Sequence, residues 1–298
     1  MSDICGDVCE KGTKITISGI NGFLGRNVGK FLARNGFDIV GIVRKGKKKS
    51  VNFGQTILSE DLSENDLASS IKGSVALLHF IGKGKQTIDS DYEKVNVELT
   101  RNAVRLCRKA HVKKILYMSG LGVNEKSTSG YFISKFKAER TIIKSGIDYT
   151  IFRPSYIIGE NDPLSNILMR QIRDDQITIP GSGNYRVQPI LVSDVSRLVM
   201  KAILEKKFSK KIIDLVGPET VTYNHFVRDL VGKRKIKIKN VDFEQIYHDA
   251  LLGKDSYFGV DDLGILVGDY IGNHKRLEKI SQIKFTKYSE ILKSCSLS

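Results

Sequence analysis

The sequence predicts an α/β protein built on a doubly wound parallel β-sheet, with a smaller α+β lobe in its C-terminal half. Two observations lead to this prediction. Short apolar runs typical of strands alternate with amphipathic helices through residue 152, and a glycine-rich turn follows the first of these runs. Strands that are joined by helical crossovers lie parallel, with helices on both faces of the sheet. Right-handed crossovers then place the first turn at a switch point of the sheet, where ligands bind.

The glycine-rich turn lies in the segment KITISGINGFLG, which begins at Lys14. Its glycines, Gly19, Gly22 and Gly25, follow a short strand and precede a helix. Glycines at such a turn let the backbone approach a pyrophosphate, and the N–H groups and dipole of the new helix attract its negative charge. The G-x-x-G-x-x-G spacing predicts a phosphate-binding corner; the alternative is a tight strand-to-helix turn without a ligand.

The other elements of the predicted sheet domain follow in order along the chain. Apolar runs predict strands at residues 38–43, 55–58, 75–80, 114–118 and 149–152. Amphipathic segments predict helices at residues 64–71, 91–110 and 130–144. Apolar residues recur along one side of the helix at 91–110, as expected of a helix that packs against a sheet.

The alternation becomes less regular beyond Pro154. Helices are predicted at residues 164–174, at 195–204 and from Tyr223, with a strand at 212–216. From Lys233, a basic stretch precedes several short helices. We therefore divide the chain into three parts: a flexible tail (1–13), a sheet domain to which later segments return (14–155), and mainly a smaller lobe for a substrate or a partner (156–298).

Composition restricts the class of protein. Hydrophobic residues make up 41% of the 298 residues, and no apolar run reaches the length of a membrane span. The first residues, MSDICGDVCEKGT, resemble neither a secretory signal nor a transit peptide. The scattered cysteines provide neither a disulfide framework nor zinc spacing; they are Cys5, Cys9, Cys107 and Cys295. The sequence therefore predicts a cytoplasmic protein with no metal site and no transmembrane segment.

The chain is strongly basic, with a formal charge of +15 and a pI of about 9.5. Such a surface attracts anions, which include dinucleotides, lipid headgroups and nucleic acid. Basic clusters lie at residues 44–49, 206–211 and 233–239, and a solvated surface accounts for most of them. Because no aromatic-interleaved motif accompanies the charge, RNA is the least favoured partner.

Several later motifs fall into one order along the chain. Ser119 closes a strand, and twelve residues later Tyr131 and Lys135 form a Y-x-x-x-K motif. The tripeptide VNV lies in the preceding helix, and FRPSYIIGEND and VQPILVSDVSRLV follow. With the glycine turn, these motifs resemble the extended and atypical short-chain dehydrogenase/reductase superfamily, which includes NAD(P)-dependent epimerases/dehydratases and NmrA-like proteins. The sequence is most similar to the branch of the nucleotide-binding accessory subunit of respiratory complex I and its prokaryotic relatives, mainly over residues 14–222.

This resemblance implies a Rossmann domain that binds NADP, with NAD as the second choice. Arg44 ends the second strand, where such folds meet the adenosine ribose, and an acidic residue there would favour NAD. Arg44, with Lys45 and Lys47 nearby, favours a 2′-phosphate instead, although a solvated loop arginine is the alternative. The expected cofactor-binding residues are Gly19, Asn21, Gly22, Phe23, Leu24, Gly25, Arg44, Asp61, Leu62, Ile81, Gly82, Lys135 and Pro154.

The resemblance also assigns individual contacts. It implies that Asp61 accepts a hydrogen bond from the adenine amino group and that Leu62 packs on the adenine ring. A helix N-cap equally explains the neighbouring Ser63. The backbone after the fourth strand, at Ile81 and Gly82, is expected to pass beside the cofactor.

Tyr131, Lys135 and Ser119 are the candidate catalytic residues. Tyr131 and Lys135 lie one helical turn apart, so both side chains can face one site. A free phenol, with a pKa of ~10, is a poor base at neutral pH, but a lysine ammonium and an oxidised nicotinamide favour the phenolate. The resemblance implies that Tyr131 moves a proton to or from a substrate oxygen, that Ser119 bonds the same oxygen, and that Lys135 also holds the nicotinamide ribose. Asn96 is expected to hold its helix against the site through water; a chance Y-x-x-x-K in a Lys-rich helix is the alternative.

Two further features are weighed as site residues. His79 lies within a predicted strand, where a core histidine with satisfied hydrogen bonds is the favoured interpretation. The loop at residues 181–188 contains Tyr185 and Arg186, which could contact an anionic group of a substrate. A surface loop tied by glycines explains the same residues equally well.

The sequence leaves three functions open. The first is an NADP(H)-dependent oxidoreductase or epimerase that acts on a carbonyl or alcohol group of an unidentified small molecule. The second is a nucleotide-binding accessory or assembly protein within a larger complex, in which the nucleotide stabilises the fold without turnover. The third is an RNA-binding protein on a dehydrogenase scaffold, for which the basic charge is the only support.

Overall fold

Strands and helices alternate along the chain, which a computed structural model describes over residues 12–46, 51–84, 91–254 and 257–294. The strands are β1 (Lys14–Ser18), β2 (Asp38–Arg44), β3 (Gln55–Ser59), β4 (Ala76–His79), β5 (Lys114–Met118), β6 (Asp148–Pro154), β7 (Ile157–Ile158), β8 (Gln176–Pro180), β9 (Arg186–Val187), β10 (Ile190–Leu191), β11 (Lys211–Leu215), β12 (Val221–Thr222) and β13 (Lys237–Val241). The helices are α1 (Phe23–Arg34), α2 (Leu67–Ile71), α3 (Leu99–Lys109), α4 (Gly130–Ile143), α5 (Pro163–Arg173), α6 (Val192–Leu204), α7 (Tyr223–Val231), α8 (Phe243–Leu251), α9 (Val260–Leu266), α10 (His274–Ser281) and α11 (Tyr288–Ser294). A π-helical segment, Glu93–Glu98, leads into α3, and a 3₁₀ turn, Lys206–Phe208, follows α6.

The central sheet has seven strands in the order β11-β6-β5-β4-β1-β2-β3. Every neighbouring pair in it is parallel. The strand order reverses between β1 and β4, which lie side by side and end at the same edge. The predicted doubly wound parallel sheet is therefore confirmed, with its switch point at the carboxyl ends of β1 and β4.

Helices cover both faces of the sheet because its inner strands are apolar on both sides. On one face, Ile15 and Ile17 of β1 are fully buried in the cluster that contains α1 and α6. On the other face, Leu77 of β4 and Ile115 of β5 are buried in the cluster that contains α3 and α4. Burying each such side chain contributes about 1.5–3 kcal/mol, so the two clusters fix the strands that carry the site.

A third apolar cluster forms the core of the smaller lobe. It joins Leu168 of α5, Phe226 of α7, Leu263 of α9 and Ile291 of α11. Beside it, β8 and β13 form a separate parallel pair, while β11 from the same half of the chain lies in the central sheet. This arrangement matches the expected α+β lobe in the C-terminal half.

The sequence does not predict β8 or β13. The strand β13 lies in the basic stretch, where Lys237 and Lys239 are exposed and only Ile238 and Val241 pack against the third cluster. Lys239 and Asn240 separate these two apolar residues, so the segment has neither a continuous apolar run nor a regular alternation that would have predicted a strand.

Two predicted helices differ from those in the structure. The helix expected at 64–71 begins only at Leu67, because the Glu64 carboxylate accepts a hydrogen bond from Ser59 Oγ and holds the intervening residues in a turn. The helix expected at 91–110 opens with the π-helical segment, which carries the buried Asn96. π-Helical turns are frequent at functional sites. Within the described part of the chain, we find no helix with the length and hydropathy of a membrane span.

Candidate active site

The glycine turn lies at the carboxyl end of β1 and needs its glycines for steric reasons. Gly19 has a φ of +79°, which a residue with a side chain rarely adopts. A β-carbon on Gly25 would collide with Gly19 O and lie 2.8 Å from Ile20 Cα. The Gly22 N–H donates to Gly19 O at 3.0 Å and closes the turn. Glycine at these positions therefore lets α1 start directly against β1.

The start of α1 fits an anionic ligand. Gly22 is the N-cap, no side chain caps the helix, and its first turn contains no acidic residue. The first N–H groups of such a helix need an outside acceptor, and its dipole favours a negative charge. The neighbouring Asn21 Oδ1 is buried without a hydrogen-bond partner among the described residues, and as an acceptor it would bond a donor group of a ligand, not a phosphate oxygen. Phe23 and Leu24, the first residues of α1, are half-buried beside this turn. The arrangement fits the diphosphate of a dinucleotide.

The loop after β4 forms the second wall of this corner. A β-carbon on Gly19 would lie 3.1 Å from Ile81 N, so the loops after β1 and β4 are in contact. A β-carbon on Gly82 would lie 2.9 Å from Lys135 Nζ. The structure therefore brings Gly19, Ile81, Gly82 and Lys135 together, and Gly82 leaves the space that the lysine head group occupies.

Arg44 lies at the end of β2, on the opposite side of the glycine turn from the Y-x-x-x-K motif. Its side chain is exposed and forms no ion pair or hydrogen bond within the described residues. The neighbouring Lys45 Nζ lies 3.8 Å from Glu64 Oε1, and Glu64 accepts from Ser59 Oγ at 2.6 Å. The sequence interpretation missed Glu64, although it is an acid close to the end of β3. Lys47 lies outside the described residues.

Asp61 and Leu62 follow β3. Asp61 Oδ1 accepts hydrogen bonds from Ser63 N and Ser63 Oγ, at 3.0 and 2.6 Å, so this carboxylate stabilises the local turn. Leu62 has a φ of +69° and is 3% exposed within the second apolar cluster. Their contacts with adenine stay predictions.

Ser119, Tyr131 and Lys135 meet at the carboxyl end of β5. Lys135 Nζ donates to Met118 O at 3.0 Å and lies 5.9 Å from the centre of the Tyr131 ring. Ser119 is 3% exposed, and its Oγ has no hydrogen-bond partner in the described part of the chain. A β-carbon on Gly120, the next residue, would lie 3.2 Å from Tyr131 Oη. The three predicted catalytic side chains therefore share one site.

Burial changes the protonation of this group. It lowers the pKa of Lys135 to about 8, although the nearby Glu139 carboxylate acts in the opposite direction. Burial raises the pKa of Tyr131 to about 12. At neutral pH, Lys135 is therefore mainly an ammonium and Tyr131 a neutral phenol, which is the form that donates a proton.

Glu139 is a residue that the sequence interpretation missed. It lies one turn after Lys135 on α4 and is 1% exposed. Its two oxygens accept from Arg153 Nε and Nη2 at 2.9 and 2.6 Å, which ties α4 to β6. These hydrogen bonds raise the pKa of Arg153. The sequence signal that could have identified Glu139 is an acidic residue on the buried side of the predicted helix.

Asn96 is fully buried and acts through direct hydrogen bonds, whereas the sequence interpretation expected water. Its Oδ1 accepts from Lys83 N at 2.9 Å, and its Nδ2 donates to Lys83 O and Ser134 Oγ at 3.1 and 2.9 Å. Asn96 therefore fixes the loop after β4 to α4, beside Gly82.

His79 is a core histidine, as expected. Its Nδ1 lies 2.7 Å from Ser18 Oγ, and its Nε2 lies 3.2 Å from Thr100 Oγ1. Its ring stacks on Tyr117. Burial lowers the pKa of His79 to about 3, with a contribution from Lys135, so the imidazole is neutral and has both ring nitrogens engaged.

The backbone beyond β6 closes the site on its other side. Pro154 O accepts from Leu121 N at 2.9 Å, which joins the loop after β5 to the end of β6. Arg186 is paired with Asp269, with Nη2 and Oδ2 2.8 Å apart, and Tyr185 is buried against Tyr223. The Arg186 guanidinium therefore has a partner within the protein, whereas Tyr185 Oη is buried without a hydrogen-bond partner among the described residues.

Comparison with known proteins identifies the family. A family profile described as NAD(P)H-binding matches residues 19–204, more than half of the chain. Subunit 9 of the mitochondrial NADH dehydrogenase (ubiquinone) 1 alpha subcomplex from Mus musculus is 27% identical over 235 residues, which cover 74% of this chain and 61% of that subunit. Sterol-4-alpha-carboxylate 3-dehydrogenase, decarboxylating, from Homo sapiens is 23% identical over 256 residues, which cover 84% of this chain and 62% of that enzyme. The chain thus spans less than two thirds of the length of either relative.

Solved structures agree on the fold. A nucleoside-diphosphate-sugar epimerase from Staphylococcus aureus superposes with a TM-score of 0.74 at 17% identity, over 94% of this chain and 99% of the epimerase. The profile does not separate NADP from NAD, so the preference for NADP stays a prediction, as does the cytoplasmic location, since the subunit 9 relative is mitochondrial. On the profile match and the parallel sheet, the chain belongs to the NAD(P)H-binding family within the extended short-chain dehydrogenase/reductase superfamily.

Proposed function

We propose that the protein is an NADP(H)-dependent oxidoreductase or epimerase that acts on a carbonyl or alcohol group, with Tyr131, Lys135 and Ser119 as its catalytic residues. The observation that carries this proposal is Ser119 Oγ, a buried hydroxyl without a partner in the described residues. Leaving a buried polar group unpaired costs about 1–3 kcal/mol, and a substrate oxygen bound at this hydroxyl would remove that cost. Tyr131 Oη lies over the adjacent Gly120 and can reach the same ligand atom.

The residues of the glycine turn would hold the cofactor's diphosphate through the free N–H groups of α1, with Asn21 lying at the same turn. Lys135 and the backbone at Gly82 and Pro154 would hold the nicotinamide half, and Arg44 the 2′-phosphate. When bound, the nicotinamide supplies a hydride to a substrate carbon or accepts one from it.

The protein's own residues then handle the proton. In reduction, the neutral phenol of Tyr131 donates its proton to the substrate oxygen, and Ser119 Oγ donates a hydrogen bond to the same oxygen. In oxidation, Tyr131 accepts the proton, and the ammonium of Lys135 stabilises the phenolate that is required. Since Lys135 Nζ is held by Met118 O, its charge stays fixed beneath the tyrosine ring.

The test combines binding and turnover. Calorimetry with NADPH and NADH measures cofactor binding, and NADPH oxidation is followed with a panel of ketones and aldehydes. We expect NADPH to bind more tightly than NADH. We expect Tyr131→Phe and Lys135→Ala to lose turnover, while Tyr131→Phe still binds NADPH. Full activity of both variants on an identified substrate would contradict the catalytic assignment.

A non-catalytic accessory function is the second candidate. Two observations favour it: the similarity to a subunit of NADH dehydrogenase, and the pKa of about 12 for Tyr131, which opposes use of its phenolate at neutral pH. A stable stoichiometric complex with larger proteins, together with bound nucleotide that is never oxidised or reduced, would support this function. Reproducible turnover by the isolated chain would exclude it.

A further inference from the structure

A cavity of about 330 Å³ opens beside the glycine turn, at the ends of α1, β6, α5 and α9. That volume lies at the lower end of the range for small-molecule sites, about 300–1,000 Å³. The residues that line it are mostly apolar, and they include Phe23, Ile157, Leu164, Ile167, Phe258 and Leu266.

The carboxylates that reach this cavity are already engaged. Asp162 is 1% exposed and caps α5, where its Oδ1 accepts from Ser165 N at 2.9 Å. Its Oδ2 accepts from Gly159 N at 3.3 Å. Asp262 Oδ2 accepts from Gly259 N at 2.9 Å, at the start of α9. Both carboxylates therefore accept hydrogen bonds from backbone N–H groups at the start of a wall helix instead of presenting charge to a ligand.

Ser155 is engaged in the same way. Its Oγ donates to Tyr270 O and accepts from Gln188 N, both at 3.1 Å. Its hydrogen bonds hold the segment after β6 against two loops of the lobe. The hydroxyl is thus part of the wall's structure.

The described lining contains no cation. No Lys, Arg or His is among the described residues that line the cavity, and Arg186 of the neighbouring loop is bound to Asp269. A nucleoside diphosphate requires charge-assisted hydrogen bonds, for which arginine is the usual donor. Apart from the Tyr156 hydroxyl, which has no hydrogen-bond partner among the described residues, the polar side chains of the lining are engaged, so the cavity favours a mainly apolar, uncharged ligand.

We propose that this cavity binds the apolar body of a lipophilic ketone or secondary alcohol, and that nucleoside-diphosphate sugars are excluded. This inference rests on the proposed function, because Tyr131 and Ser119 would receive the substrate oxygen. The hydrogen bond from Leu121 N to Pro154 O places the catalytic loop after β5 directly beside the cavity wall.

The test measures ligand class by displacement of the neutral, polarity-sensitive dye Nile red from the NADPH-saturated protein. Displacement by 2-alkanones from 2-butanone to 2-decanone should strengthen about threefold to fourfold with each methylene, the value expected for burial of one CH₂ group. UDP-glucose should not displace the dye. Three results would overturn the inference. They are alkanone displacement that does not depend on chain length, displacement of the dye by UDP-glucose, and absence of both dye and 2-decanone binding in calorimetry.

Variants locate the binding site. Ile167→Lys places a charge in the wall, and we expect it to weaken 2-decanone binding at least tenfold. Asn166→Lys adds the same charge at an exposed position of the same helix and should leave binding unchanged. Ile167→Phe fills the cavity without adding charge and should also weaken binding of the longest ketones. Equal effects of the two lysine variants would contradict this site.

The same samples separate the two proposals. If alkanones bind with the expected length dependence but are never reduced with NADPH, the catalytic proposal fails and the ligand class stands. If a nucleotide sugar turns over while the alkanones do not bind, the catalytic proposal stands and the ligand class fails. NADPH affinity, measured for every variant, reports whether the fold and cofactor site are intact.

Discussion

Glu139 and Arg153 form a two-point ion pair at the base of the candidate active site. Two Glu139 oxygens accept from Arg153 at 2.9 and 2.6 Å, and the carboxylate is 1% exposed. The same carboxylate lies one turn after Lys135, where it opposes the effect of burial on the lysine's pKa. One side chain therefore joins α4 to β6 and helps to keep Lys135 protonated.

The first prediction concerns this ion pair. Glu139→Gln removes the carboxylate that is hydrogen-bonded to Arg153, while Asp214 stays near the guanidinium, and breaking a buried pair in this way costs about 3 kcal/mol. The free energy of unfolding in urea should fall by that order. As a control, Glu93→Gln removes exposed ion pairs with Lys137 and Arg101 and should cost less than about 1 kcal/mol. Equal losses in the two variants would show that the Glu139 pair is no stronger than a surface pair.

The second prediction is a pH dependence of stability. Burial lowers the pKa of Lys135 to about 8 from its ordinary value of 10.5. Between these two values the unfolded chain binds the proton that the folded chain has released, so this group makes stability rise with pH. We therefore compare the free energy of unfolding of the wild type with that of Lys135→Met. The difference, wild type minus variant, should increase by about 1 kcal/mol from pH 7 to pH 9.

The comparison with Lys135→Met cancels contributions from other titrating groups, which both proteins share. Lys126→Met, which removes a lysine side chain at an exposed position, provides the matched control. A difference between the wild type and Lys135→Met that did not change with pH would mean that Lys135 titrates as it does in the unfolded chain.

The third prediction concerns the glycine turn. Gly25→Ala places a β-carbon against Gly19 O and 2.8 Å from Ile20 Cα, both of which are backbone and cannot move aside. We expect a loss of about 2–3 kcal/mol in the free energy of unfolding, together with loss of NADPH binding in calorimetry. Gly264→Ala, in a helix position with nothing within 4 Å, should instead stabilise the protein by about 0.5–1 kcal/mol. Unchanged stability of Gly25→Ala would contradict the close packing of α1 on β1.

Local patterns in the sequence predict the residues that come together at the ends of strands. Gly19 follows β1 and Ser119 follows β5, while the helical spacing of Tyr131 and Lys135 places both on one side of α4. Because strand ends in a parallel sheet meet at one edge, such short-range signals are sufficient to predict a shared site.

Contacts between distant segments could not be predicted in this way. Asn96 bonds to Lys83 and Ser134 because the π-helical segment turns it inward, and no sequence period indicates that turn. The apolar cavity likewise combines Phe23 with Phe258, two residues from opposite ends of the chain. Tertiary packing, which a single sequence does not reveal, determines these contacts.

The fourth prediction concerns the choice between NADP and NAD. Arg44 is exposed at the end of β2 and has no ion pair in the described residues, so its guanidinium is available to a 2′-phosphate. A charge-assisted hydrogen bond contributes about 1.5–3 kcal/mol, which corresponds to about tenfold to a hundredfold in affinity. Arg44→Ala should weaken NADPH binding by that factor in calorimetry and leave NADH binding nearly unchanged. Arg34→Ala, which removes the same charge at the far end of α1, should affect neither cofactor; if NADPH binding to Arg44→Ala were unchanged as well, Arg44 would be a solvated loop residue.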